Sequence, residues 1–161
     1  MRRLIALAGL VGSFVLVAFT GWGNASVPGA HATATVPVVI LKARDGETLA
    51  LARVIVHGRA FPFLIDTGSS ATLVDVALAR KLHLKTIGGR IKVTGVGCSE
   101  TARKVRLSRW SIGGQPLPSI VATSSVIAGA NGKAFGLLGS DVLSHFDAIG
   151  LDYAHGQLTL G

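Results

Sequence analysis

A single cysteine, Cys98, in a chain of 161 residues excludes any internal disulfide, so an apolar core has to hold the fold. Acidic residues are scarce too, eight against sixteen Lys and Arg, and only 15% of the chain is charged, which argues against disorder. There is no exact repeat and no low-complexity tract. The usual signatures of other chemistries are also missing: no Gly-x-Ser-x-Gly elbow, no His-Glu-x-x-His, no Walker loop and no Gly-x-Gly-x-x-Gly turn. His31, His57, His83, His145 and His155 are dispersed, mostly beside turns, and Cys98 lacks the flanks of a cysteine protease nucleophile, so neither a metal nor a cofactor is expected.

The chain is long enough for one domain with a real core and too short for two comfortable ones. Its 21 glycines and its short apolar runs indicate a mostly β chain with many turns. Arg2 and Arg3 followed by the apolar run 4–19 have the layout of a secretory signal, so residues 1–25 read as a signal peptide or a membrane anchor. The implied location is exported: periplasmic, secreted or tethered to the membrane, with the N-terminus engaging membrane or export machinery. Small and unpatterned residues make 26–37 a linker, leaving 38–161 as the domain. The formal charge is +8, and without Arg2 and Arg3 fourteen basic residues still face eight acidic ones, +6. Those basic residues are scattered rather than clustered with aromatics, which speaks against nucleic acid as a partner.

Within the domain, residues 49–56 and 60–65 read as a hairpin turning at His57-Gly58-Arg59, and the second strand delivers Asp66. After a glycine loop, 71–74 reads as a short strand, and Asp75 can cap a short helix with Val76, Leu78, Ala79 and Leu82 on its apolar face. Further β runs are expected at 91–93, 101–107, 117–121 and 135–138, separated by Gly88-Gly89, Gly95 to Gly97 and Gly113-Gly114. One or two helical turns are expected at 140–145, then a hairpin of 149–153 with 157–160.

Chemistry concentrates in Phe63-Leu64-Ile65-Asp66-Thr67-Gly68-Ser69-Ser70. A carboxylate straight after an apolar strand is costly to ionise, a following glycine lets a backbone amide reach it, and a Thr hydroxyl can tie down the loop. The bland alternative is an Asx-type turn at a strand end. A second element favours chemistry: Phe135-Gly136-Leu137-Leu138-Gly139-Ser140-Asp141-Val142-Leu143 again runs an apolar pair into glycine and a short helix, as a quasi-equivalent half would.

With these two elements the sequence resembles the retropepsin-like aspartic proteases, and among them the bacterial single-domain members with a membrane-directed N-terminus, over roughly residues 49–160. The resemblance implies a mostly β, closed-barrel half-lobe with one or two short helices. It assigns Asp66 as the catalytic carboxylate, Thr67 as a hydroxyl grip across a dimer, and Gly68 and Ser69 as loop support. Leu137, Leu138 and Gly139 become the second hydrophobic-glycine motif, and Gly95, Val96 and Gly97 fall where the family has its flap. Retroviral members carry an Asp and an Arg where this chain has Ser70 and Ser140, so their detailed dimer contacts do not transfer. One Asp-Thr-Gly per chain implies a homodimer that brings two Asp66 side chains together to cut a peptide or protein substrate by general acid/base activation of water. The remaining acids, Asp45, Glu47, Asp75, Glu100, Asp141, Asp147 and Asp152, are expected to be solvated or capping. A non-catalytic peptide-binding or assembly domain on the same fold stays as the alternative.

Overall fold

The period-two pattern of residues 48–56 settles both faces of one strand at once. In the computed structural model, which describes residues 33–42, 46–95, 98–127 and 133–161, β2 (Thr48–Val56) directs Ala52, Val54 and Val56 into the main core. Leu49 and Leu51, on its other face, join a smaller apolar cluster with Leu64, Leu137, Ala134 and Ile127. β2 turns into β3 (Arg59–Ile65) through His57 and Gly58, both at positive φ, 49° and 77°, as the primed two-residue hairpin turns require.

β1 (Ala34–Lys42) begins inside the segment read as linker. Residues 34–37 pair with the last strand, β12 (Gln157–Leu160), and from Val38 onward β1 pairs with β2. The composition misled because Pro37 sits where the strand changes partner, a position that tolerates a residue without an N–H. Residues 1–25, expected to be a leader or anchor, the rest of the expected linker up to residue 32, Asp45, and Val96 and Gly97 of the expected flap lie outside the described residues. Among the described residues, no helix is long and apolar enough to cross a membrane.

After β3 come β4 (Leu73–Asp75) and the helix α1 (Val76–Lys81). Asp75 caps α1 as expected, its Oδ1 accepting from Ala77 N at 2.7 Å. β5 (Thr86–Gly95) and β6 (Cys98–Leu107) form a long antiparallel hairpin. Gly88-Gly89 does not end a strand here: the register shifts between Ile87 and Arg90, so the glycines are absorbed as a bulge, with Gly88 at φ 68°. β7 (Trp110–Ile112), β8 (Gln115–Pro116), β9 (Ile120–Ser125), β10 (Gly136–Leu138), α2 (Ser140–Leu143) and β11 (Ile149–Asp152) complete the chain before β12.

The main sheet runs β11-β12-β1-β2-β3-β10-β4-β9-β6-β5. Its outermost strands, β11 and β5, do not pair among the described residues, so the expected closed barrel is instead an open, mostly β sheet with two short helices. Closure fails because β5 is held only through β6, on the far side from β11. The main core draws on strands from across the sheet and includes the fully buried Phe63, Leu107, Ile112, Leu138, Leu158 and Leu160.

Candidate active site

β3 and β4 are consecutive in sequence but do not touch. β10 inserts between them, parallel to β3 through Leu137↔Leu64 and Leu138↔Ile65, and antiparallel to β4 through Gly136↔Val74. Because β3 and β10 run the same way, the loops that leave them, one starting at Asp66 and the other at Gly139, emerge side by side. The quasi-equivalence of the two sequence elements is therefore a spatial pairing.

Three hydrogen bonds, two of them backbone to backbone, fasten the loops. Asp66 N donates to Leu138 O at 3.1 Å, Ser140 N to Ser69 O at 2.8 Å, and Gly139 N to Thr72 Oγ1 at 3.1 Å. The glycine of the second element has a steric reason: a Cβ on Gly139 would lie 2.6 Å from the Ala71 carbonyl carbon and 2.7 Å from its oxygen. Gly136 is equally constrained, since a Cβ there would run into the Phe63 ring.

Asp66 itself is half-buried at the end of β3. Its Oδ1 accepts the Gly68 amide at 3.0 Å, the contact expected of a glycine at that position, and Oδ2 has no hydrogen-bond partner among the described residues. One oxygen is thus held in place while the other is left to meet a water, a proton or a second carboxyl group. Ser69 supports the turn as expected, with Oγ donating to Ala71 O at 2.8 Å. Thr67 does not tie down its own loop: it is exposed, and its hydroxyl has no partner within the described chain.

The tie that composition did not reveal is Thr72, which is fully buried. Its hydroxyl accepts from Gly139 N and donates to Asp141 Oδ1 at 2.8 Å, so one side chain links the first loop to α2 and to the second glycine. Asp141 is accordingly neither a solvated acid nor a cap but half of this cross-tie.

Asp66 opens onto a cavity of about 390 Å³ lined by Leu49, Leu64, Ile65, Leu137 and Tyr153, with Glu47 and Thr48 at one side. Tyr153, 52% exposed, comes from the β11–β12 turn and had no local signal in the sequence. A more apolar groove of about 490 Å³ lies against β1, β2 and β3 around Val39, Phe61 and Pro62, but Asp66 does not line it, and no carboxylate, hydroxyl or imidazole does. Among the described residues no group of three or more His, Cys, Asp or Glu could hold a metal ion.

A carboxylate held on one oxygen by a glycine turn, locked to a parallel glycine loop and facing a cavity walled partly by leucines, defines an acid-protease type of site on a single-lobe β fold. A family model described as aspartyl protease matches residues 52–142, which span both loops, and the chain belongs to that family. Among solved structures, a retropepsin-like aspartic protease from Rickettsia conorii matches with a TM-score of 0.53 and 22% identity, covering 81% of this chain and 94% of that one. The fold is therefore retropepsin-like, as the sequence led us to expect. No curated protein shows a significant match.

Proposed function

We propose that this aspartic-type peptidase is an endopeptidase whose catalytic dyad forms when Asp66 meets Asp66 of the partner subunit across a two-fold axis. The observation that carries the reading is the asymmetry of the carboxylate: Oδ1 fixed by Gly68 N, Oδ2 unpartnered, at the edge of a leucine-walled cavity. Two such groups sharing one proton supply both roles. The ionised carboxylate takes a proton from water, the resulting hydroxide adds to the scissile carbonyl carbon, and the protonated carboxyl gives its proton to the carbonyl oxygen. Collapse of the tetrahedral adduct breaks the C–N bond, and the nitrogen leaves with a proton. The pair would titrate as a unit. The exposed Thr67 hydroxyl is available for a grip across the dimer axis, and Leu49, Leu64 and Leu137 favour extended peptides with apolar side chains beside the cut. In the same reading β5–β6 is the flap, with Gly95, Val96 and Gly97 at its tip, and residues 1–25 export the protein or anchor it.

The test is cleavage of a mixed peptide library by the purified chain from acidic to neutral pH, beside Asp66→Asn and a sedimentation run. The reading requires a dimer whose turnover falls about 10²- to 10⁴-fold or further in Asp66→Asn. Cutting by the variant at the wild-type rate would refute it, and a folded dimer inert at every pH would favour the peptide-binding alternative.

A further inference from the structure

The face of the β5–β6 hairpin that carries Arg90 and Arg103, together with the helix α1, borders a cationic cleft that Asp66 does not line. One part, about 560 Å³, is lined by Arg80, His83, Arg103 and Ser124; an adjoining part, about 250 Å³, by Arg90, Arg103 and Ser124. Arg90 and Arg103 are directly opposed Cα partners on adjacent strands, and the alternation of β5 puts Lys92 on the same face. Like charges placed opposite one another across a ladder destabilise it. Neither arginine has an ion-pair partner among the described residues; the ion pair His155–Asp152 lies at the other end of the sheet. Asp75, which precedes α1 beside the cleft, already accepts from Ala77 N and Ile127 N. Ser124, 6% exposed and paired with Arg103 in the β6–β9 ladder, lines both parts of the cleft.

The cleft adjoins a second open feature. β5 is the terminal strand of the sheet, so one edge of its backbone has no strand partner among the described residues. An extended chain added there would pair with that edge and send alternate side chains to the face carrying Arg90, Lys92 and Arg103. Guanidinium groups bind carboxylates through paired N–H donors, which supplies the missing counter-charge. We infer that this cleft is a docking site for an acidic, extended segment of a polypeptide partner, at a place distinct from the Asp66 cavity. The occupant is a peptide rather than a free phosphate because a small anion would neutralise the arginines and leave the β5 edge unpaired.

Binding can be read without catalysis, so failure here leaves the protease reading intact, and the reverse also holds. The full chain carrying Asp66→Asn, which prevents cutting, is titrated into a fluorescein-labelled peptide of alternating Glu and Val, and anisotropy is followed at low and physiological salt. The Glu-Val peptide should bind at least about tenfold tighter than a Lys-Val peptide, and adding Arg90→Gln and Arg103→Gln should weaken it by about 10- to 100-fold, the range for losing charge-assisted hydrogen bonds. Arg103→Lys, which keeps the charge but not the paired donors, should fall between, and thermal melting confirms that each variant is folded. Equal affinity for both peptides, or no change in the double variant, overturns the site. Unaltered binding of a Glu-Val peptide N-methylated at alternate residues, or complete displacement by inorganic phosphate at concentrations matching the peptide, overturns strand addition in favour of a small-anion site.

Discussion

The paired loops at Asp66 and Gly139 and the β5–β6 hairpin are built in opposite ways. Around Asp66, turns a few residues long are fastened by backbone bonds to Leu138 and Ser140, by the Ser69 hydroxyl, and by the buried Thr72 bridge to Gly139 and Asp141. The hairpin is much longer, yet it joins the sheet only through β6 against β9, carries a glycine bulge in its outer strand, and opposes Arg90 to Arg103. The catalytic role proposed for Asp66 requires a carboxylate held to a fraction of an ångström, which such over-determined surroundings supply. An element that covers or receives another chain gains from an unsatisfied edge and uncompensated charge, since both are relieved only on contact. Stability and functional availability are separated in space.

Tightening or loosening each region should therefore act in opposite directions. The largest effect belongs to Gly139→Ala. The new methyl meets backbone atoms of Ala71 that have no room to move aside, so unfolding free energy should drop by about 1–3 kcal/mol or more. Because the Leu138 carbonyl receives the Asp66 amide, the carboxylate shifts too, and a displacement near 1 Å lowers turnover by about 10²-fold. Urea denaturation beside a kcat measurement checks both, and a fully active, equally stable Gly139→Ala would show that the loops do not need their close approach. Thr72→Val comes next. It keeps the shape but strands the Gly139 amide and removes Asp141's donor, at a cost of about 1–3 kcal/mol, which Thr72→Ser should largely restore. If valine is tolerated as well as serine, the hydroxyl bridge is not what binds the loops.

Sequence made the first region legible and the second only partly so. Asp66, Gly68, Ser69 and Leu137 to Gly139 announced themselves because an apolar strand running into Asp-Thr-Gly, or into glycine and a helix, is a local pattern with local chemistry. Asp75 was readable as a cap for the same reason. Thr72 was not, since a threonine reveals its worth only when a glycine loop and a helix 67 and 69 residues later supply Gly139 and Asp141 as partners. The polar end of β9 failed similarly: the expected strand stopped at Val121, yet Thr123, Ser124 and Ser125 are strand residues that are 4%, 6% and 7% exposed, lying between β4 and β6. Burial there comes from neighbours distant in sequence. The openness of the sheet was also beyond local reading, because strand order depends on which edges find partners.

In the hairpin the same kind of test should run with the sign reversed. Arg103→Gln removes a charge that faces Arg90, so it should stabilise the free protein by about 0.2–1 kcal/mol at low ionic strength. Added salt should shrink the gain, because the groups are exposed and screened. Urea midpoints for wild type and variant at two salt concentrations suffice; a destabilised variant would mean that Arg103 is compensated within the fold, and the contrast with the Asp66 loops would collapse.

The smallest effect lies at the sheet's other end, in the turn between β11 and β12, which shows how a charged group is settled when its partners are local. The Asp152 carboxyl is held below its ordinary value of 3.8, first by the His155 backbone N–H, then by the His155 ring, with the Ala154 amide also contributing. A folded value below the unfolded one means that the contribution is complete above about pH 3.8 and disappears as pH falls through the folded value. The side chain is exposed, so the consequence belongs in its titration rather than in global stability. His155→Ala deletes the ring and leaves the backbone donor, so NMR titration of the Asp152 carboxyl carbon should give a midpoint higher than in the wild type yet still below 3.8. A return all the way to 3.8 would assign the shift to the imidazole. A midpoint still depressed shows the turn's own amides holding the Asp152 carboxylate in its charged form, a local partner of a kind that the described arginines of the hairpin lack.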